Sequence, residues 1–391
     1  MKRRAGSRPA RLSREGGRLL RLTEGLMAST SRAEDAYWEA AIFALLDKTL
    51  ASGNQVPIDQ ALDHLAETGE RAYDDLADLA EAAAGTLGLN TPGAPLTVLI
   101  AAPLLLASPY ELPQASLPAA TLAALRVQLA AHVLADGVRF ALANVLFSPD
   151  QLPQDYAAAR ALLERFAVVL AAGRDLHVDA DDLAESGRYV ADSRFLLAAV
   201  QVPPGHPLFR WHEGDADRAG ALAQWRLQAS PSLQALLPGC RLELAQPDAL
   251  YPAWRNADRD GRPFALQAAL TYLQGALDLP MRQLRAVVAP YYEQHLVEWR
   301  IGLGRLGRPL GEVDYGVVWP LFGEDDDEAA GDALVTALRQ AGLGEVRRLS
   351  QGLPLEYCDD CGEPLFPTGE GESVHAGMPD AEGGPVSRHL H

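Results

Sequence analysis

Apolar positions in the N-terminal part of the chain recur with the period of an amphipathic helix. From Ser31 onward they stand three and four residues apart, so that one face of a helix collects them. Glu34 follows Ser31 by three residues, which is the spacing of a capping box at a helix N-terminus. A Gly-Asn pair ends this helix, Pro57 opens a second one, and a third begins at Arg71. The pattern predicts a small helical bundle over residues 31–89.

After residue 93 the pattern changes to apolar runs of strand length that alternate with helical segments. Strands are predicted over residues 96–106, 138–147, 194–202, 240–244, 284–289, 297–303 and 313–321, and helices over 118–134, 156–172, 216–237, 264–277 and 332–341. Such alternation is typical of a sheet covered by helices. A Gly-Arg loop separates the last two strands, which predicts an antiparallel hairpin.

These patterns together predict an α+β fold in three parts. The N-terminal helical bundle is followed by a mixed β-sheet domain covered by helices, over residues 94–350. Residues 351–391 form an irregular, zinc-knuckle-like C-terminal segment and tail, because Gly, Pro and acidic residues dominate there.

Composition and charge narrow the range of partners. The formal net charge of -18 disfavours broad contact with nucleic acid or an anionic membrane, since phosphates would be repelled. Residues 1–21 are the exception, with eight Lys or Arg and one Glu, and we expect residues 1–30 to form a basic, partly disordered arm. Nucleic acid is therefore expected only through this arm. Three cysteines, no signal-peptide pattern and no bilayer-length apolar run favour a cytoplasmic protein without membrane contact.

The C-terminal segment has the spacing of a metal site. Cys358 and Cys361 are two residues apart and Gly362 follows, as in a zinc knuckle whose glycine accepts a left-handed turn. The prolines that follow disfavour the helix that a redox CxxC pair needs. His375 is the predicted third ligand of a structural Zn²⁺, which would order a segment too polar to build its own core. The fourth ligand is open among Asp380, His389, His391 and Cys240, and the alternative is a pair of reduced surface thiols.

Residues 256–261 (NADRDG) have the alternating oxygen ligands and the glycine of half an EF-hand loop. Gln267 stands where that loop requires a bidentate Glu, and Pro263 interrupts it. Calcium is therefore disfavoured. The segment is predicted to be a polar turn that begins a helix at Phe264.

Two further groups follow predicted strands, where ligands often bind in α/β sheets. Arg210 and His212 combine a cation with an imidazole, and the acidic run 324–328 (EDDDE) could hold Mg²⁺. The structural alternatives are a loop folded onto the sheet by its aromatic residues and a solvated helix N-terminus. No P-loop, GxSxG or HExxH motif occurs in the chain.

The leading functional hypothesis is a non-enzymatic interaction or regulatory protein with a structural zinc site and a protein partner. It rests on the absence of a catalytic motif, the separate helical bundle and the basic arm on an acidic chain. The alternative is an enzyme whose site is formed by Arg210, His212 and the acidic cluster Glu324 to Asp327.

Eight segments spread over the chain carry a resemblance to a known family: SREGGRLL, SRAEDAYWEA, ALRVQLAAHVLA, PLFRWHE, LLPGC, LRAVVAP, YGVVWPLFGEDDDE and YCDDCGEPLFP. Together they resemble a proteobacterial family described only as a domain of unknown function, number 2863. The resemblance covers nearly the whole chain up to Gly383, and it implies a cytoplasmic bacterial protein. It implies no catalytic residue, substrate or cofactor.

Overall fold

The computed structural model describes residues 12–108, 116–184, 190–213, 217–293, 295–321, 327–359 and 362–377. Its helices are α1 (Arg14–Met27), α2 (Arg32–Ala51), α3 (Val56–Thr68), α4 (Glu70–Gly85), α5 (Ala119–His132), α6 (Tyr156–Ala171), α7 (Arg218–Gln234), α8 (Leu250–Leu277) and α9 (Asp327–Gln340). Its strands are β1 (Thr86–Leu87), β2 (Leu96–Ala107), β3 (Arg139–Phe147), β4 (Ala191–Val202), β5 (Arg241–Leu244), β6 (Asp248–Ala249), β7 (Leu284–Tyr292), β8 (Leu296–Arg305), β9 (Tyr315–Pro320), β10 (Glu345–Arg348), β11 (Leu353–Pro354), β12 (Phe366–Pro367) and β13 (Ser373–Val374). The fold is α+β, as predicted.

The N-terminal bundle contains one helix more than predicted. Within residues 1–30, which were predicted to be a basic, partly disordered arm, Arg14–Met27 form α1, whereas residues 1–11 lie outside the described residues. Ser13 caps this helix by accepting a hydrogen bond from the Gly16 amide, and Leu19 is fully buried in the core of the bundle. The basic residues that suggested disorder recur three and four positions apart on the exposed face of α1: Arg14, Arg18 and Arg21.

The first sheet is antiparallel throughout the described pairings and has the strand order β1-β2-β4-β3. Strands β1, β6 and β5 follow one another along the second edge of β2. Ile100 and Leu104 of β2 face the core formed with α5 and α7, whereas Leu99 faces the core formed with α6, the first part of α8 and the bundle. Both faces of β2 are therefore buried, which explains its continuous apolar run.

The strands after α8 form a second, separate sheet, whereas the sequence patterns predicted one mixed sheet domain. Its order is β10-β7-β8-β9, with β10 and β11 parallel to β7 and the other pairs antiparallel. Trp299 and Ile301 of β8 face a core formed with α9 and the second part of α8. The opposite face of β8 contacts the C-terminal segment. The predicted β8–β9 hairpin is confirmed.

Helix α8 runs without interruption through the segment that was predicted to be a polar turn before Phe264. Ala253 and Ala257 are fully buried before the glycine and proline of this segment, and Ala269 is fully buried after them. Packing on both sheets therefore outweighs the cost of Gly261 and of Pro263, which lacks the amide hydrogen of a helical hydrogen bond. None of the described helices is long and apolar enough to cross a membrane.

Candidate functional site

A cavity of about 300 Å³ lies at the point where α8 passes from the first sheet to the second. The ends of β2 and β4 form one side of it, α8 forms the floor, and β8 and β9 close the other side. The cavity therefore has residues from both sheets in its wall. Its volume is at the lower end of the range for small-ligand pockets in proteins.

The wall formed by α8 is one helical face with polar and apolar residues. Trp254, Asp258 and Arg262 line the cavity at intervals of one helical turn. Gly261 lies between them, and a Cβ there would be 3.9 Å from both the Leu105 Cδ2 and the Ser193 Oγ atoms. The absence of a side chain at Gly261 leaves this part of the cavity open.

Asp258 is the carboxylate in the cavity that lacks a local partner. Burial raises its pKa to about 7, and the positive charge of Arg262, one helical turn away, only partly opposes this effect. Within the described ranges, no donor makes a hydrogen bond to the Asp258 carboxylate. A half-buried carboxylate that titrates near neutral pH is thus available to a molecule in the cavity.

The two other carboxylates in the wall are each held by an arginine. Asp192 pairs with Arg194, whose side chain is 3% exposed, and it also accepts a hydrogen bond of 2.8 Å from the Ser193 amide. Burial nevertheless raises the pKa of Asp192, against the opposing effect of Arg194. Glu298 accepts a 2.5 Å hydrogen bond from Nε of the fully buried Arg300. Both carboxylates are therefore held in place by the protein itself.

Arg262 fastens α8 to the second sheet beside the cavity. Its Nη1 donates a 2.8 Å hydrogen bond to the Pro320 carbonyl at the end of β9. Its guanidinium carbon lies 5.3 Å from the centre of the Trp319 ring, within the range of a cation–π contact. The guanidinium of Arg262 is thus directed toward the end of β9.

Arg210 and His212, which were predicted for an enzyme site, do not line this cavity. Arg210 donates hydrogen bonds to Asp136 Oδ1 at 2.6 Å and to the Ala130 carbonyl at 3.3 Å. Its guanidinium therefore stabilises the packing of this loop on α5 and the residues that follow it. His212 follows Trp211, which stacks on Phe209 with ring centres 4.7 Å apart. Both aromatic residues are buried in the core with α5 and α7, so this loop is folded onto the first sheet, as the structural alternative predicted.

The acidic part of the predicted enzyme site is largely undescribed. Glu324, Asp325 and Asp326 lie outside the described residues, and Asp327 is the first residue of α9, with an undescribed side chain. The flanking elements β9 and α9 belong to the second sheet, whereas His212 lies on the first. The convergence of His212 with the acidic cluster stays a prediction.

The predicted zinc ligands are only partly described. Cys361, Asp380, His389 and His391 lie outside the described residues. The Cys358 carbonyl accepts a 2.8 Å hydrogen bond from the Gly362 amide, and Gly362 has a φ of 74°, the left-handed turn that was predicted. The His375 Nε2 atom is 2.8 Å from Glu363 Oε2. Among the described residues, no group of three His, Cys, Asp or Glu side chains is arranged to hold a metal.

Cys240, one of the four candidates for the fourth zinc ligand, is buried with α7 in the core of the first sheet. It therefore belongs to a different part of the molecule from the segment with Cys358 and His375. The prediction of zinc bound by Cys358, Cys361 and His375 stays a prediction.

The C-terminal segment is ordered by an interaction that the sequence patterns did not reveal. Arg300 Nη1 donates 2.7 Å hydrogen bonds to the carbonyls of Glu356 and Leu365. Its guanidinium carbon lies 4.4 Å from the ring centre of Tyr291 and 5.0 Å from that of Tyr357. A buried arginine of β8 thus holds two parts of the C-terminal segment against the second sheet.

The EF-hand-like spacing of residues 256–261 drew attention to Asp258 in the sequence. The sequence patterns did not predict the cavity residues of the two sheets, such as Asp192 and Glu298. The available signal was the helical recurrence of alanines on both sides of this run, at Ala253, Ala257, Ala265 and Ala269. It predicts that Asp258 lies beside a buried helix face.

Comparison with known proteins identifies one family. A family model with the description "Protein of unknown function (DUF2863)" matches residues 4–389, nearly the whole chain, in agreement with the resemblance of the eight segments. A comparison with curated proteins and another with solved structures each gave no match.

Proposed function

Since the chain belongs to this family of proteins of unknown function, we propose its function from the cavity alone: the protein binds a small molecule between its two sheets. The proposal is a more specific form of the hypothesis that the protein is a non-enzymatic, regulatory protein. A bound ligand would contact both sheets and α8, so it could change how they pack against one another. The cytoplasmic location and the protein partner stay predictions.

The observation that carries this proposal is the Asp258 carboxylate. Partial removal of a carboxylate from water is unfavourable unless hydrogen-bond donors of the protein or of a ligand replace the lost water. The part of the chain that the structure describes offers none to Asp258, although the carboxylate lies in the cavity wall. A ligand that donates to this carboxylate would supply the missing partner.

Binding explains the wall better than catalysis does. Among the described residues that line the cavity there is no His and no Cys, and two of the three carboxylates are already engaged by arginines. A catalytic site needs an acid, base or nucleophile within reach of a second reacting group. Among the described residues, Asp258 has no such second reacting group beside it, and this arrangement favours recognition of a ligand.

Filling the cavity tests this proposal. We expect Gly261→Leu to abolish binding of small fragments, because its side chain would occupy the space between Leu105 and Ser193. Gly275→Leu is the matched control, since it lies on the same helix with nothing within 4 Å of its Cβ position. The probe is a fragment library with equal numbers of cationic, neutral and anionic compounds, screened by ligand-observed NMR.

The two variants separate specific from unspecific binding. At least one fragment should bind the parent and Gly275→Leu proteins and lose at least tenfold in affinity for Gly261→Leu. A screen in which every binder is retained by a folded Gly261→Leu protein, or in which no fragment binds, would refute the cavity as a ligand site. Circular dichroism verifies that both variants are folded.

A structural zinc site in the C-terminal segment is a second proposal, supported by the left-handed turn at Gly362. We expect about one zinc per chain in protein purified without an affinity tag, and zinc loss in Cys358→Ser and His375→Ala. Because Arg300 also anchors this segment, chelation should loosen residues after Leu353 only in part. Substoichiometric zinc in the parent, measured by elemental analysis, would end this proposal, and full zinc in His375→Ala would move the third ligand elsewhere.

A further inference from the structure

On the basis of the proposed function, we infer that the ligand is a small organic cation, a protonated amine on an apolar body, whose ammonium group pairs with Asp258. The inference names the chemical class that the cavity would select. It rests on the charges of the wall, on its apolar part and on the size of the space.

The charges that line the cavity are predominantly negative. In the part of the wall that the structure describes, Asp192, Asp258 and Glu298 contribute three carboxylates, and Arg262 contributes one guanidinium. Arg194 and Arg300 do not line the cavity and are 3% and 0% exposed, respectively, behind the carboxylates that they hold. An anionic ligand would meet carboxylate oxygens, which accept hydrogen bonds but donate none, and a neutral one would leave an ionised Asp258 without a charged partner.

The rest of the wall favours an apolar body on the ligand. Trp254 lies one helical turn before Asp258 on the same face of α8, and Phe264, Leu105 and Val318 also line the cavity. An indole close to a carboxylate is a recurring arrangement for ammonium groups, because the ring face attracts a cation while it excludes water. The volume of about 300 Å³ is large enough for a single ring or a short alkyl chain.

The ionisation of Asp258 couples binding to pH. The groups that face it are Arg262 from its own helix, Asp192 and Ser193 from β4, and Glu298 from β8. Because burial raises its pKa to about 7, Asp258 is mostly protonated at pH 6 and must release its proton to pair with an ammonium group. Amine affinity should therefore rise several-fold from pH 6 to 8, with proton release upon binding at the lower pH.

Three probes with the same ring and different charge test the inference: benzylamine, benzyl alcohol and benzoate. Binding to the full-length protein is measured by titration calorimetry at pH 6, 7 and 8, in two buffers of different ionisation enthalpy that report proton release. We expect benzylamine to bind at least tenfold more tightly than the alcohol at pH 8, and benzoate to bind most weakly.

The variants are Asp258→Asn and the matched control Asp260→Asn, which removes the same charge from the same helix outside the cavity wall. Asp258→Asn should lose at least tenfold in benzylamine affinity and all pH dependence between 6 and 8, whereas Asp260→Asn should keep both. The pH dependence in the unsubstituted protein supplies an independent readout, should either variant fold poorly.

Equal affinity of the amine and the alcohol, or retention of amine binding in Asp258→Asn, would overturn the inference. If the alcohol or benzoate binds better than the amine and this binding is lost in Gly261→Leu, the cavity remains a ligand site and only the cationic class is wrong. If none of the three probes and no library fragment depends on the cavity, the proposed function fails as well.

Discussion

At the scale of single residues, the three carboxylates of the cavity differ in their hydrogen-bond partners, and this difference affects the pKa of Asp258. Asp192 and Glu298 each have an arginine at hydrogen-bonding distance, whereas Asp258 has only the more distant field of Arg262. Desolvation therefore dominates at Asp258 and raises its pKa from the ordinary 3.8 to about 7. Between about pH 4 and pH 7, Asp258 is therefore protonated in the folded protein and ionised in the unfolded chain.

This difference predicts a pH-dependent stability. Because the pKa of Asp258 is higher in the folded than in the unfolded protein, the unliganded protein should lose stability as pH rises from about 4 to about 7. Asp258→Asn removes the cost of the buried charge, so we expect it to raise the free energy of unfolding at pH 8 by about 1 to 2 kcal/mol, since water reaches the half-buried carboxyl. At pH 4 the parent and the variant should differ little.

Urea unfolding at pH 4, 6 and 8 measures this effect, with Asp63→Asn as the control for loss of an exposed aspartate. The informative quantity is the difference between the variant and the parent, because other groups with raised pKa values, such as Glu81, act in both proteins. A difference that stays constant from pH 4 to pH 8 would show that Asp258 does not carry the shift.

At the scale of elements, the C-terminal segment depends on glycines in the second sheet. The absence of side chains at Gly302 of β8 and Gly316 of β9 lets the Pro367 carbonyl and the Phe366 ring approach the sheet directly. Phe366 is 2% exposed as a result. The apolar residues of the segment are thus buried against the second sheet. The number of apolar residues within the segment does not predict this burial.

The glycine at position 316 offers a direct test of this packing. In Gly316→Ala the added Cβ would overlap the Phe366 ring, and we expect a loss of about 1 to 3 kcal/mol in unfolding free energy. Gly275→Ala adds the same atom on an open surface of α8 and should stabilise the protein by up to about 1 kcal/mol.

Hydrogen exchange locates the effect of Gly316→Ala. Amides of β12 and β13 should exchange faster in this variant, while those of the first sheet should keep the protection of the parent. Unchanged stability together with unchanged exchange of β12 and β13 would mean that the segment does not pack on β9.

At the scale of the whole molecule, α8 connects the helical bundle and both sheets. Arg255 donates two hydrogen bonds to the Glu81 carboxylate of α4, at 2.5 and 2.7 Å, which joins α8 to the bundle. The first turns of α8 are buried against the first sheet, and the turns after Phe264 against the second. The cavity lies at the crossing between these two contacts, so its shape depends on how both sheets hold one helix.

Much of the secondary structure was predictable from local pattern. β2, β3, β4 and the β8–β9 hairpin appear where continuous apolar runs predicted them, because strands buried on both faces need such runs. The cap at Ser31 was predictable as well, since a helix N-terminus requires a local acceptor, and Ser31 Oγ accepts from the Glu34 amide at 3.3 Å. These features depend on residues within one or two helical turns of each other.

Only the tertiary structure decided the features that depend on distant residues. The basic residues of α1 predicted disorder, but the opposite face of this helix is buried in the bundle. Residues 256–261 predicted a turn, but they are helical because α8 packs against two sheets. The division into two sheets, the anchoring of the C-terminal segment by Arg300 and the cavity around Asp258 arise from contacts between residues far apart in sequence. The sequence by itself determined most of the helices and the long strands, because apolar periodicity acts locally. The candidate site required the fold, since its three carboxylates come from β4, α8 and β8.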